Sequence, residues 1–277
     1  MRRKAYIGVV ALAAILICAA AIIHIVRAQA FMAEAGRMAE RFAAQKLGTD
    51  VHIGTVEIRS LHELTIDDIV VYDKQADVVL RADEARVTLR LLSLLLSPET
   101  SVDEVLLTGA HAHIVQRADG SWNYNDLAAD DTEPSTFEGR IRLADATAEI
   151  ETGARSYELT DITGTADIDR GDLSYDLTAA LAGVPVRVRG ENVGGTRELQ
   201  LMLDDSELTP LLDLLPSGAI SEDVRVQELH AAHVNASLRW VDGTFTAEGR
   251  AAGVTAAADV YGTQTQIESA ALTFSER

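Results

Sequence analysis

Two pairs of histidines have a spacing that could bind a metal ion in this 277-residue sequence. His111 and His113 are two residues apart, and His230 and His233 are three apart. On a β-strand His111 and His113 would share a face, and imidazole is a common zinc ligand. No acid or cysteine is obviously placed beside them, so we interpret them as ordinary half-exposed histidines. We predict no metal site and no other cofactor.

Three aspartates near Gly171 have a faint similarity to a calcium loop: Asp167, Asp169 and Asp172. Such a loop needs a glutamate further along, and Thr178 occupies that place. We therefore interpret the segment as a solvated acidic turn.

The remaining acidic pairs do not form a catalytic dyad. We interpret Asp67-Asp68 as a strand irregularity, Asp130-Asp131 as part of a linker and Asp204-Asp205 as the start of a helix. The sequence contains no Gly-x-Ser-x-Gly elbow, no P-loop and no His-Glu-x-x-His motif. We predict that the protein is not an enzyme and has no catalytic residues.

Alternation of polar and apolar residues dominates the chain from Val51 onward. In Glu84–Leu91 every second residue is apolar, which predicts a strand with one apolar and one polar face. Asp119-Gly120 predicts a tight turn, because Gly tolerates a positive φ. We expect a mostly β fold in which a long antiparallel meander curls into an open, β-taco-like groove. Its segments would be 49–127 and 138–277, joined by a polar linker at 128–137.

Residues 1–30 predict a transmembrane signal anchor. Ala5 to Val26 would form a helix of about 33 Å, long enough for a hydrocarbon core of about 30 Å. Arg2, Arg3 and Lys4 predict a cytoplasmic N-terminus and place the body in the periplasm. A cleaved signal peptide is the alternative. The anchor would contact lipid through Ile7, Leu12, Ile15, Leu16, Ile22 and Ile23.

Two further helices are expected. An amphipathic helix would occupy 31–48 and stop at Gly48, and a short helix would lie near 206–216. The formal net charge is −19, and all 43 acids but only 20 of the 24 Lys and Arg residues follow residue 30. A body this acidic repels phosphate backbones, so we predict no nucleic-acid partner.

The apolar face of the sheet is the remaining candidate for function. It must be covered by a second layer, by helices or by an apolar ligand. Each methylene kept from water contributes about 0.8 kcal/mol, so an open groove would favour lipid chains strongly. A closed sandwich with an ordinary core is the alternative. The lipid-binding candidates are Val87, Leu89, Leu91, Val186, Val188, Leu201, Leu203, Leu238 and Trp240.

The order of parts over residues 1–127 resembles the N-terminal region of the AsmA-like family of the TamB type. The resemblance rests on the strand Val51–Ile58, on Leu64–Asp73, and on Asp119-Gly120-Ser121-Trp122-Asn123 after Val102–Leu107. It implies an inner-membrane protein that moves phospholipid toward the outer membrane and so supports outer-membrane biogenesis. Members of this type are much longer, which predicts that the chain is a fragment. A non-enzymatic scaffold that docks an outer-membrane assembly partner by strand addition is the alternative.

Overall fold

The computed structural model describes most of the chain after residue 46. The described residues are 37, 40, 41, 43, 44, 47–60, 62–90, 102–127, 138–153, 155–215, 220–221, 223–241 and 244–276.

One 13-stranded sheet contains nearly all of the regular structure. Its strands are β1 Val51–Ser60, β2 Glu63–Tyr72, β3 Val78–Leu89, β4 Val102–Thr108, β5 His111–Gln116, β6 Glu138–Thr152, β7 Arg155–Asp169, β8 Asp172–Leu181, β9 Val184–Val193, β10 Thr196–Glu207, β11 Val224–Val241, β12 Thr244–Val260 and β13 Thr263–Glu276. The strands follow sequence order across the sheet, except that β5 lies beside β3 and β6. Strands from both predicted β segments therefore belong to one sheet.

The prediction of a purely antiparallel meander is wrong at the middle of the sheet. Both β4 and β5 pair with β6 in parallel, β4 along its first half and β5 along its second. Parallel neighbours need a crossover connection, and the stretch between Gln116 and Glu138 is that connection. The sheet is therefore mixed.

The predicted transmembrane helix and the inner-membrane location derived from it are also corrected. Within the described residues, no helix has the length and apolar character needed to cross a membrane. The two short helices given below have five and four residues, far fewer than the roughly 20 that a bilayer requires. The six anchor residues, Ile7, Leu12, Ile15, Leu16, Ile22 and Ile23, lie outside the described part of the chain.

The predicted helix over 31–48 is described only at some of its later positions, among them Arg37, Glu40 and Leu47. Its end agrees with the expected stop, because Gly48 has φ +68° and donates a backbone hydrogen bond to Ala44. Glu40 Oε1 accepts a 2.9 Å hydrogen bond from the backbone N–H of Ile53, so this helix contacts β1.

The helix predicted near 206–216 is shorter than expected. It comprises only α1, Thr209–Leu212, because β10 continues to Glu207. Asp205 is therefore a strand residue with φ +46°, and the prediction that it starts a helix is wrong. Leu208 and Leu211 pack against the buried core of the sheet.

Residues with a left-handed backbone conformation form a line across much of the sheet, and we call it the left-handed line. Its members with positive φ are Asp68, Gly109, Asp145, Asp161, Asp205 and Gly253. Asp and Gly adopt this conformation more readily than other residues. Leu143 and Ala146 flank Asp145 and belong to the same hydrophobic cluster, although residues three apart normally face opposite sides of a strand. The left-handed residue shifts the alternation by one, so apolar side chains stay on one face.

The Asp119–Asn123 segment fixes the end of β5. Asp119 accepts hydrogen bonds from the backbone and hydroxyl of Ser121 at 2.9 and 2.7 Å, and Gly120 has φ +85°. Asn123 begins a 3-10 helix, Asn123–Leu127, and is buried. Its amide donates to the carbonyl of His113 at 2.7 Å and accepts from the N–H of Val115 at 3.0 Å. The Asp119–Asn123 segment therefore supplies the side chain of Asn123, which hydrogen-bonds to the backbone at the outer edge of β5.

Candidate functional site

Two adjacent rows of residues form a continuous apolar surface across eleven strands. In each row, every residue is the register partner of the next, so all members of the row share one face. We call this surface the apolar band. Its rows are Ile58, Leu64, Val87, Val105, Ile141, Ala166, Tyr175, Gly190, Leu199, Leu238 and Ala247, and Val56, Ile66, Ala85, Leu107, Leu143, Gly164, Leu177, Val188, Leu201, Ala236 and Gly249.

The apolar band contains no charged residue, and Tyr175 is its only polar one. Eleven strands about 4.8 Å apart span about 48 Å, which is longer than one lipid acyl chain. All of its side chains of valine size or larger remain half-buried or exposed. The described part of the protein therefore does not cover the band completely.

One cluster of buried apolar residues lies along and beyond the left-handed line. We call them the packed end: Ala82, Ala110, Ala146, Ala148, Ile162, Ala179, Val184, Val186 and Leu203, with Leu208 and Leu211 packed against them. Most are small, which allows close approach of neighbouring chains. The same face thus has a packed end and an accessible band.

Eight of the nine predicted lipid-binding residues are described, and they lie on this one face. Val188, Leu201, Val87 and Leu238 belong to the apolar band, and Leu89 continues it along β3. Trp240 is 38% exposed, and its ring centroid lies 5.1 Å from that of Phe245.

Val186 and Leu203 are in the packed end, with 6% and 5% of their surface exposed. They lie beside the band on the same face, and their burial makes them inaccessible to a ligand. Leu91 lies outside the described residues. The period-two pattern identified the face, but the set of lipid-binding candidates left out the β4, β6 and β8 members, among them Val105, Leu143 and Leu177. The alternation within those strands was the signal that could have found them.

Close packing within the apolar band depends on glycine at two positions. A Cβ added at Gly190 would overlap the phenol ring of Tyr175, which lies across that position. Burial of this ring raises the pKa of Tyr175. Gly164 has φ +146°, and an added Cβ would overlap the backbone of β8. These glycines let aromatic and aliphatic side chains cover the strand backbone.

The opposite face of the sheet carries cross-strand ion pairs. Asp176 on β8 accepts hydrogen bonds from Arg187 at 2.7 and 2.6 Å and from Arg189 at 2.9 Å. Arg187, with a smaller contribution from Arg189, lowers the pKa of Asp176 to about 2. Other pairs join Arg140 to Asp167 and Arg142 to Glu104. The sheet is therefore amphipathic.

Two of the three aspartates considered for calcium form ion pairs. Asp167 contacts Arg140 at 2.8 Å, and Asp169 contacts Arg170 at 3.2 Å. Both line a charged cleft of about 490 Å³ that also contains Asp172. Asp167 and Asp169 therefore each have a guanidinium group as a neighbour.

Both histidine pairs have acidic neighbours that the sequence did not reveal. His230 lies 3.1 Å from Asp205, and His233 lies 2.9 Å from Asp204. His111 contacts the hydroxyl of Thr147 at 2.8 Å. His113 lies 3.3 Å from Glu151, with Glu149 in the same group. Parallel pairing of β5 with β6 produces this last group, and only the Glu-x-Glu spacing on β6 signalled it.

Comparison with known proteins adds no family assignment. No family model matches the chain, and no curated protein matches it. The AsmA-like resemblance therefore stays a prediction.

Proposed function

We propose that this protein binds lipid acyl chains along the apolar band and takes part in phospholipid transport toward an outer membrane. The uninterrupted band of partly exposed aliphatic side chains carries the proposal. Burying such a surface under an apolar ligand is favourable by roughly 25 cal/mol per Å². The family resemblance gives the lipid class, and the band gives a surface that such a lipid would contact.

The band favours a chain-like ligand over a compact one. It is two residues wide and about 48 Å long, so an extended hydrocarbon would contact many strands at once. A polar headgroup would remain in water. For an acyl chain of about 16 carbons, contact along the band would recover part of roughly 12 kcal/mol of hydration cost.

Site-specific photocrosslinking tests the proposal with a matched control. Leu201 and Gln200 are neighbours on β10 and point to opposite faces. A photoreactive amino acid at position 201 or 188 should crosslink phospholipid during expression in a bacterium with an outer membrane. The same amino acid at position 200 should not. Mass spectrometry of the crosslinked product identifies the lipid.

Equal crosslinking at positions 200 and 201 would contradict the proposal, and so would its absence at 201 and 188. Val188→Asp with Leu201→Asp is a second test, because two carboxylates on the band should remove co-purified phospholipid. Gln200→Asp is the matched control, since its new charge lies on the polar face. Circular dichroism verifies that each variant remains folded.

A scaffold function is the second candidate, and the free edge of β13 favours it. Within the described strands, β13 pairs only with β12, and Leu272 on it is 58% exposed. Unpaired strand edges accept an additional strand from a partner. Native mass spectrometry distinguishes the two functions, because a scaffold would be isolated without phospholipid.

A further inference from the structure

Three potential metal-ligand side chains converge on the polar face where β5 lies beside β6. His113, Glu149 and Glu151 each offer one ligand atom, and these atoms lie within 4.8 Å of one another. The parallel register pairs His113 with Glu149, and Glu151 is two residues further along β6 on the same face. The group is remote from the apolar band, because the band lies on the other face.

The separation within the group suits a small divalent cation. His113 Nε2 and Glu151 Oε1 are 3.3 Å apart. Two ligands bound tetrahedrally at about 2.0–2.1 Å are separated by about 3.3 Å. Mixed imidazole and carboxylate ligands favour zinc and similar transition ions, whereas calcium and magnesium prefer oxygen ligands alone.

Neighbouring contacts fix the ligands in place. Asn123 bonds to the backbone of β5 at the carbonyl of His113 itself. Ser156 Oγ donates a 3.0 Å hydrogen bond to Glu149 Oε1, which orients that carboxylate. Contacts of this kind in a second layer around a metal typically strengthen binding.

The local charge is also favourable for a cation. Glu158 on β7 is the register partner of Glu149 and adds a third carboxylate to the same face. No Lys or Arg among the described residues forms a salt bridge with these three glutamates. His113 and Glu151 retain 34% and 44% side-chain exposure, so an ion can reach them from solvent.

We propose that His113, Glu149 and Glu151 bind one zinc-class divalent cation that ties β5 to β6. Three protein ligands leave a fourth position for water. The cation stabilises the β5–β6 pairing, which is one of the two parallel pairings among the described strands. This site is independent of lipid binding.

Zinc titration of the metal-stripped full chain tests the proposal. Isothermal titration calorimetry should find one Zn²⁺ bound by the wild type. His113→Ala and the double substitution Glu149→Gln with Glu151→Gln should each weaken binding about tenfold or more. His111→Ala is the matched control, because His111 lies on the same strand and face outside the ligand group. It should bind zinc within about twofold of the wild type.

Thermal unfolding gives a second readout, since a ligand that binds the folded state raises the midpoint. Zinc should raise the midpoint of the wild type and of His111→Ala by similar amounts, and it should raise that of His113→Ala less. A wild type that binds no zinc overturns the proposal, as does a His113→Ala variant that binds as tightly as the wild type.

Discussion

Asn123 shows how a single side chain can replace a neighbouring strand. Only 2% of its surface is exposed, and its amide satisfies one donor and one acceptor on the edge of β5. Buried backbone groups without a partner are costly, so the residue type at this position is tightly constrained.

Asn123→Ala should lower the free energy of unfolding by about 2–3 kcal/mol, because two hydrogen bonds are lost and two backbone groups lose their partner. Urea denaturation measures the change. Asn125→Ala is the control, since Asn125 is exposed in the same short helix, and it should cost less than about 0.5 kcal/mol. Equal costs for the two variants would show that Asn123 does not hold the edge.

Asp176 gives the polar face a defined pH dependence. Its pKa is lowered from 3.8 to about 2 in the folded protein, so the ion pairs with Arg187 and Arg189 favour folding whenever the carboxylate is charged. A lowered folded-state pKa means that this stabilisation is complete above about pH 4 and is lost as the pH falls toward 2.

Asp176→Asn should therefore be less stable than the wild type at pH 7, and the difference should shrink between pH 4 and pH 2. Urea midpoints measured across this range check the trend. Glu191→Gln on β9 is the control, because Glu191 is exposed and without an ion pair among the described residues. A constant difference between wild type and Asp176→Asn would contradict the assignment.

At the scale of elements, the left-handed line explains why one face stays apolar along the strands that it crosses. Gly54 lies opposite Asp68, Gly109 lies beside Asp83, and Gly253 lies against Ala232, so the line is continuous over several neighbouring strands. It is interrupted at β8 and β9, where alternation continues unchanged. The packed end lies along this line and beyond it, next to the apolar band.

Asp161→Val should cost about 1–2 kcal/mol of stability, because a β-branched residue is strained at φ +53°. Asp161→Gly should stay within about 1 kcal/mol of the wild type, since Gly tolerates that conformation. Thermal or urea unfolding compares the two. Glu158→Val on the same strand controls for the added valine and should have a small effect. A similar cost for all three would argue against backbone strain.

At the scale of the whole molecule, the sheet has two end strands, each paired with a single strand among the described residues. β1 pairs only with β2, and β13 pairs only with β12. Strands β6 to β9 lie between neighbours on both sides and contribute most of the packed end. Stability should therefore decrease from the centre of the sheet toward its edges.

Hydrogen exchange measured by mass spectrometry should show strong protection in β6–β9 and progressively weaker protection toward β13. The reason is that edge amides open without disrupting a second strand. Within β13, the amides that point away from β12 should exchange fastest. Protection at β13 equal to that at β8 would contradict an open edge and indicate a partner strand there.

The strands and the turn follow from local chemistry alone. Alternation in β3, β9, β10 and β11 selected residues that do share a face, among them Val87, Val188 and Leu238, because a period of two depends only on the pleat of one strand. The Asp119-Gly120 turn followed equally from a residue's own φ preference.

Only the tertiary structure decided which strands meet and which apolar residues stay accessible. The parallel pairing of β5 with β6 brings His113 beside Glu151 across a crossover that no local pattern reveals. Likewise Val186 is buried and Val188 is half-exposed, although both have the same place in the alternation. Face assignment is a property of one strand, whereas burial and side-chain convergence depend on residues far apart in the chain.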